Sequence, residues 1–201
     1  MNKRLLLLSI LIISLSGLLK AQQFKGGVLA GICGTEISHD KRWGPNKMGM
    51  YVGSFIELDI SERSSLHMEL DFIQKGARKN PDTLDPTSYI LRLNYLEMPI
   101  HYRYDINETW DFEAGLSYGV LIYEYEEENY FEILHPAEEF RKGDFSINFG
   151  FYYRLTDHMK LNIRYSNSIF YVRPFPDNIK YWIFDGQTNE VLSFTLHYSI
   201  K

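Results

Sequence analysis

The 201-residue sequence predicts an all-β chain: an eight-stranded antiparallel up-and-down transmembrane β-barrel with short periplasmic turns and long external loops. Three observations predict it. Apolar and polar residues alternate with period 2 in eight segments, the signature of strands with one apolar and one polar face. The connections between these segments alternate strictly between short and long. An apolar leader precedes the first of them and marks the chain for export.

The leader is read first because it is excluded from the fold. Met1-Asn2-Lys3-Arg4 is basic, Leu5 to Leu19 is apolar with few interruptions, and Lys20-Ala21-Gln22 follows. This is the order of a secretory signal peptide over residues 1–21, with cleavage after the small residue Ala21. The apolar run is short for a spanning helix. A lipoprotein would need a cysteine directly after it, and Cys33 lies too far on. Residues 22–201 then form one domain, the barrel. They hold no second apolar stretch long enough for a transmembrane helix.

Composition narrows the class. A single cysteine rules out an internal disulfide framework. A net charge of −5 argues against nucleic acid as a partner. The 15 Tyr, 13 Phe and 3 Trp suit strands, and they suit the aromatic girdles of a membrane barrel.

The strands follow in order. A Gly-rich segment from Phe24 to Thr35 opens the barrel, with Val28, Ala30 and Ile32 on one face. Ile56, Leu58 and Ile60 alternate with Glu57 and Asp59. Leu66, Met68, Leu70 and Phe72 alternate with His67, Glu69 and Asp71. Leu96, Met98, Ile100, Tyr102 and Tyr104 alternate with Glu97, Pro99, His101 and Arg103. Phe112 to Val120 keeps its apolar residues even and includes Glu113. Phe145, Ile147, Phe149 and Phe151 lead a run in which Asp144 and Arg154 take the other parity. Leu161, Ile163 and Tyr165 alternate with Asn162 and Arg164. Leu192, Phe194, Leu196, Tyr198 and Ile200 close the chain against Ser193, Thr195, His197 and Ser199. Each strand is expected to run for about 9–12 residues, enough to cross a bilayer at a tilt. Leu91, Leu93 and Tyr95 take the opposite parity to Leu96 and Met98, which predicts a bulge or a change of environment near Asn94.

The short connections are Ser61 to Ser64, Asp105 to Thr109 and Thr156 to Met159. The long ones run from Glu36 to Met48, Ala77 to Ser88, Glu124 to Lys142 and Ile169 to Glu190. All short turns thus fall at one end, as in outer-membrane barrels. An even strand number leaves both termini at that end.

An eight-stranded barrel has room inside for side chains or one small ligand. The apolar set is too large and too aromatic to fit there. The small residues Gly115, Gly119, Ser146 and Gly150 lie on the polar parity, as a crowded interior requires. Leu66, Met68, Leu70, Phe72, Phe145, Ile147, Phe149, Phe151, Leu192, Phe194, Leu196, Tyr198 and Ile200 are therefore expected to face lipid. Glu57, His67, Glu69, Asp71, Glu97, His101, Arg103, Glu113, Asp144, Arg154, Arg164 and His197 are expected to form a structural polar network in the lumen. Both signs are present, so the charges can pair, as burial demands.

Several short motifs resemble one family: Gly27 to Gly31, Glu69-Leu70-Asp71-Phe72 with Lys75-Gly76, Asn94 to Pro99, Glu113-Ala114-Gly115, and Asp144-Phe145 with Phe149-Gly150. Together they resemble the PorT-like outer-membrane β-barrel family. The resemblance implies an outer-membrane barrel in a Gram-negative bacterium. It also implies, for some members, a link to protein secretion and gliding machinery.

Chemistry is weighed against this frame. His197-Tyr198-Ser199 resembles the His-x-Ser pair of outer-membrane lipid A deacylases, but it would face the lumen near the periplasmic end. His67, Glu69, Asp71, Glu97 and His101 include metal-binding types. Alternate residues of one strand lie about 7 Å apart, so one strand alone cannot chelate tightly. A salt-bridge network is the expectation, with no catalytic, cofactor or metal set. The Glu124 to Glu128 loop is acidic and is read as solvated. The aromatic loop from Phe170 to Phe184 is either a partner site or a self-packed girdle.

The reading is a non-enzymatic barrel with a structural or interaction role through its external loops. Its partners are outer-membrane lipid and envelope or secretion proteins. A lipid-modifying enzyme and a soluble periplasmic lipid-binding barrel are the alternatives. Face polarity separates the last of these. Leu196→Arg should block membrane assembly, at a cost of roughly 2–4 kcal/mol near the midplane. Thr195→Arg should be limited by lumen crowding instead. Fractionation reads the result: a Leu196→Arg chain that accumulates as soluble, folded protein rules out the membrane assignment.

Overall fold

The computed structural model describes residues 24–38, 46–81, 83, 85–134, 138–175 and 186–200. The expected signal peptide, residues 1–21, lies outside the described residues. So does the stretch from Tyr181 to Phe184 in the last loop.

Eight strands form the barrel wall: β1 (Phe24–Ile37), β2 (Lys47–Ser61), β3 (Ser64–Lys79), β4 (Tyr89–Asp105), β5 (Trp110–Glu128), β7 (Gly143–Arg154), β8 (Met159–Ser168) and β11 (Asn189–Ser199). Three two-residue strands decorate it: β6 (Phe131–Glu132), β9 (Arg173–Pro174) and β10 (Gly186–Gln187). Each wall strand pairs antiparallel with the next, β4 with β5 included, and β1 pairs with β11 to close the cylinder. No helix occurs among the described residues. The described termini, Phe24 and Ile200, emerge at the end that carries the three short hairpin turns. Ile200 donates its backbone N–H to the Gly26 carbonyl at 2.8 Å, which fastens that end of the seam.

Strands β7, β8 and β11 have the expected length, with 12, 10 and 11 residues, while β1 to β5 are longer, from 14 residues in β1 to 19 in β5. The extra length stands at the long-loop end. Glu124 to Glu128, expected in a loop, continues β5, because β4 goes on pairing with it as far as Tyr89 opposite Glu128. A two-residue turn then reverses the chain into β6. Asn129 and Tyr130 both have positive φ, 50° and 67°, as such a turn requires.

The parity change near Asn94 is one of environment. β4 buries every odd residue from Tyr89 to Arg103 without a break. Leu91, Leu93 and Tyr95 point inward because the external half of the lumen is apolar. The bulge lies across the ladder in β5: Asn94 faces Tyr123 and Tyr95 faces Leu121, which leaves Ile122 as the extra residue.

On the outer wall stand Leu70, Phe149, Phe151, Leu192, Phe194, Tyr198 and Ile200, all exposed, and Ile147 at the same parity. Leu66, Met68, Phe72, Phe145 and Leu196 share that outer parity with partial exposure. Trp110 packs edge-on against Tyr153 at 4.9 Å near the short-turn rim, where Tyr102 and Tyr104 also face out.

Glycines on the inner parity make room for long polar side chains. A Cβ at Gly115 would lie 2.1 Å from the Ile100 carbonyl oxygen and 2.6 Å from the His101 ring. A Cβ at Gly26 would meet nothing nearer than 3.5 Å. Gly115→Ala should therefore lower stability by about 1–3 kcal/mol, the usual penalty for overpacking. Gly26→Ala should leave stability nearly unchanged. The urea midpoint for loss of the folded, heat-modifiable form compares the two.

Candidate functional site

The lumen is filled in layers, and each layer is built by residues of one parity from facing strands. Outermost is an apolar cap. Leu91, Leu93 and Tyr95 of β4 meet Ile73 and Ala77 of β3, Cys33 and Ile37 of β1, Leu121 of β5 and Val191 of β11. Two residues from the long connections, Phe140 and Val172, complete it. Arg173 ties the cap to the wall. It pairs with Glu126 at 2.8 Å, donates to Gln187 at 2.9 Å and covers the Phe140 ring at 4.3 Å. Val172 and Phe175 are buried, while Phe170 is exposed and lies 6.2 Å from the Phe145 ring. The described part of the aromatic loop is thus largely packed upon the barrel itself.

Below the cap, Lys75 donates to Glu97 and, at 2.9 Å, to Asp144. Asn189 adds a hydrogen bond to Asp144 at 2.8 Å. The next layer centres on Arg164. Its Nη1 and Nη2 each donate to one Glu69 oxygen at 2.7 Å. Its Nε donates to Glu113 Oε1 at 2.7 Å and its Nη2 to Glu113 Oε2 at 3.1 Å. Tyr51 accepts from Arg164 at 2.9 Å and donates to Asp71 at 3.0 Å. Asn162 donates to Glu113 at 2.9 Å. The guanidinium thus bridges β3 and β5 across the lumen from β8, with 2% of Arg164 exposed.

The innermost layer lies toward the short turns. Arg103 pairs with Glu57, and Lys160 donates to Asp111 at 2.5 Å. His67 stands between layers, with Nε2 3.0 Å from Glu69 and Nδ1 3.5 Å from Glu57. His101 lies 3.4 Å from Glu113, and His197 packs edge-on against Tyr152 at 5.0 Å. A pocket of about 610 Å³ at this mouth is lined in part by Glu57, Arg103, Arg154 and Lys160.

Eleven of the twelve expected lumen residues are buried here: Glu57, His67, Glu69, Asp71, Glu97, His101, Arg103, Glu113, Asp144, Arg164 and His197. Arg154 differs. It is the last residue of β7, its side chain is 34% exposed, and it sits at the rim 3.8 Å from Asp111. Lys75, Tyr51, Tyr152, Asp111, Asn162 and Asn189 join the network beyond those twelve. Lys75 continues the odd series His67, Glu69 and Asp71 on β3, so parity alone points to it.

Two clusters bring metal-binding residue types together across strands: His67, Glu69 and His197, and Glu69, His101 and Glu113. Glu69 and Glu113 already bind Arg164 through both oxygens, and a dication there would sit against a guanidinium. The geometry favours charge pairing. His197 Nε2 shares a hydrogen bond of 3.0 Å with Thr195, and its residue is 3% exposed, far from the external rim. At that rim Lys79 and Thr87 hydrogen-bond Asp85 and hold its carboxyl well below the usual range.

Over residues 19–172 the sequence matches the outer membrane protein beta-barrel domain. The chain belongs to that family. The architecture also resembles solved structures. Ail, the attachment invasion locus protein of Yersinia pestis, aligns over 89% of this chain and 99% of its own, with 9% identity and a TM-score of 0.51. The backbone structure of the same protein in a phospholipid bilayer nanodisc gives 11% identity and a TM-score of 0.50, over 89% and 100%. Neisserial surface protein A gives 14% identity and a TM-score of 0.49, over 87% and 96%. At these identities the likeness is one of fold. No curated protein matches the sequence.

Removing the guanidinium tests the centre of the network. Arg164→Met leaves Glu69 and Glu113 buried without their cation and should destabilise the barrel by about 3–5 kcal/mol. Replacing both acids by glutamine in the same chain should recover part of that loss. Urea titration of the three proteins checks both expectations.

Proposed function

We propose that this chain is a non-enzymatic outer-membrane protein of a Gram-negative cell that works as an interaction protein through its external rim. The observation that carries this reading is the closure of the lumen. Arg164 bridges Glu69 and Glu113 in the middle of the barrel, and the apolar cap with Phe140 and Val172 lies above it. A solute would have to break a buried, charge-assisted network to pass, and such networks are costly to open. Transport is thereby disfavoured. What is left for recognition is the rim, where the β5–β6 hairpin and the residues just after it expose Tyr130, Phe131 and Leu134.

Lipid modification is supported less well. His197 and Ser199 would serve a reaction near the wrong mouth, and Thr195 shares the His197 hydrogen bond. The motifs that resemble PorT-like proteins favour envelope or secretion proteins as partners. The leader favours export, with cleavage after Ala21.

Fractionation with gel mobility before and after boiling tests the reading. The expected result is outer-membrane protein with a heat-dependent shift, beginning at Gln22 by N-terminal sequencing. Reconstituted in a planar bilayer, it should add no single-channel steps to the bare membrane. Stable conductance steps would replace an interaction role with a transport role.

A further inference from the structure

The outer wall carries a basic groove at the level where its apolar band ends. On β3 the outward series Leu66, Met68, Leu70 and Phe72 gives way to Gln74 and then Arg78. On β4 the series from Tyr104 up to Leu96 gives way to Asn94 and then Arg92. Gln74 pairs with Asn94, and Arg92 pairs with Gly76. Gly76 has a φ of 132°, and a Cβ there would lie 2.1 Å from the Leu91 carbonyl oxygen. The place opposite Arg92 is therefore bare of side chain. The result is a groove of about 530 Å³ lined by Gln74, Arg78, Arg92 and Asn94 among others.

Its height follows from strand geometry. Two residues of a tilted strand rise by about 5 Å along the barrel axis. Arg92 stands four residues beyond Leu96, hence about 10 Å above it. The polar headgroup zone adds about 5–8 Å on each side of the hydrocarbon. Arginine side chains reach along such a boundary. The long loops mark this end as external.

We propose that this groove binds the phosphate of an outer-leaflet lipid headgroup, with Arg78 and Arg92 as its clamp. The inference rests on the outer-membrane reading above. Guanidinium groups match phosphate with paired N–H donors. Among the described residues neither arginine forms an ion pair. Arg78 Nε donates to Asn80 at 2.9 Å, which leaves its two terminal nitrogens for a ligand. Arg92 rests over the Tyr125 ring at 5.6 Å. The Gln74 side-chain oxygen Oε1 accepts from the Met50 N–H at 3.3 Å, so Nε2 is left as a donor. Two acids flank this wall on the neighbouring hairpin, Glu127, in register with Ile90, and Glu132 opposite it; Glu127 accepts from the Tyr125 hydroxyl at 2.6 Å. The seam sector differs in sign. Glu36 and Glu190 lie opposite each other there, on the outer parity of β1 and β11. The β3–β4 sector, by contrast, sets Arg78 and Arg92 on the same side of the groove.

The test uses the full mature chain, refolded in detergent and mixed with bisphosphorylated lipid A, with bound lipid counted by native mass spectrometry. The wild type should retain one lipid A. An Arg78→Gln/Arg92→Gln chain should retain about tenfold less, and so should the wild type offered lipid A stripped of its phosphates. Arg63→Gln, at a periplasmic turn, should bind as the wild type does. Excess inorganic phosphate should leave the lipid in place. Equal retention by the double variant, equal retention of phosphate-free lipid A, or loss on Arg63→Gln overturns the site. Displacement by inorganic phosphate overturns the lipid as its occupant. The heat-dependent mobility shift is read on the same samples. If the shift persists while the site fails, the membrane reading stands; if the shift is absent from the wild type, that reading fails first.

Discussion

The barrel depends on one cation in the middle of its lumen. Arg164 is fully buried, and it binds two glutamates and a tyrosine contributed by three other strands. A charge in such a place is tolerable only when every donor finds an acceptor. That demand fixes the strands around it. β3, β5 and β8 cannot slip in register by one residue without sending Glu69, Glu113 or Arg164 to the outer wall. The polar network is thus a register key as well as a filling.

Acids outnumber bases inside. Glu57, Glu69, Asp71, Glu97, Asp111, Glu113 and Asp144 are buried with Lys47, Lys75, Arg103 and Arg164, and Lys160 lies close to the mouth. Neutral donors make up part of the difference. Tyr51 serves Asp71, Asn162 serves Glu113 and Asn189 serves Asp144. Above this layer the same inner parity turns apolar, and the lumen passes from a wet chemistry to a dry one within a few residues of β4. Tyr95 marks the boundary, with its ring 5.0 Å from the Lys75 ammonium.

Much of this was legible in the sequence because a strand's period is 2 and the barrel has two environments. Parity alone sorts Phe194 from Thr195 and Leu70 from Glu69. Parity also predicts the location of Lys75, though an isolated lysine near a strand end reads more readily as surface. The partner choices were not legible. Glu69 lies 95 residues from Arg164, and only closure of the cylinder brings them together. The parity of Leu91 and Leu93 left a bulge and a change of environment both open, because the apolar cap cannot be seen from β4 alone; it needs Phe140 and Val172 from two distant connections. Strand ends were the weakest part. Glu124 to Glu128 carries the composition of a loop, yet ladder pairing with β4 overrides that composition.

The seam between β1 and β11 has a kinetic meaning. Gly27 faces Ser199 and Ile37 faces Asn189, so the first and last strands of the barrel zip together along nearly their full length. Until the last strand arrives, β1 presents an open edge, and Arg164 has only part of its surroundings. Contacts of such long sequence separation form late and slowly. Strands β1 to β8 alone leave the cylinder open. Closure of the cylinder therefore waits on the pairing of β11 with β1.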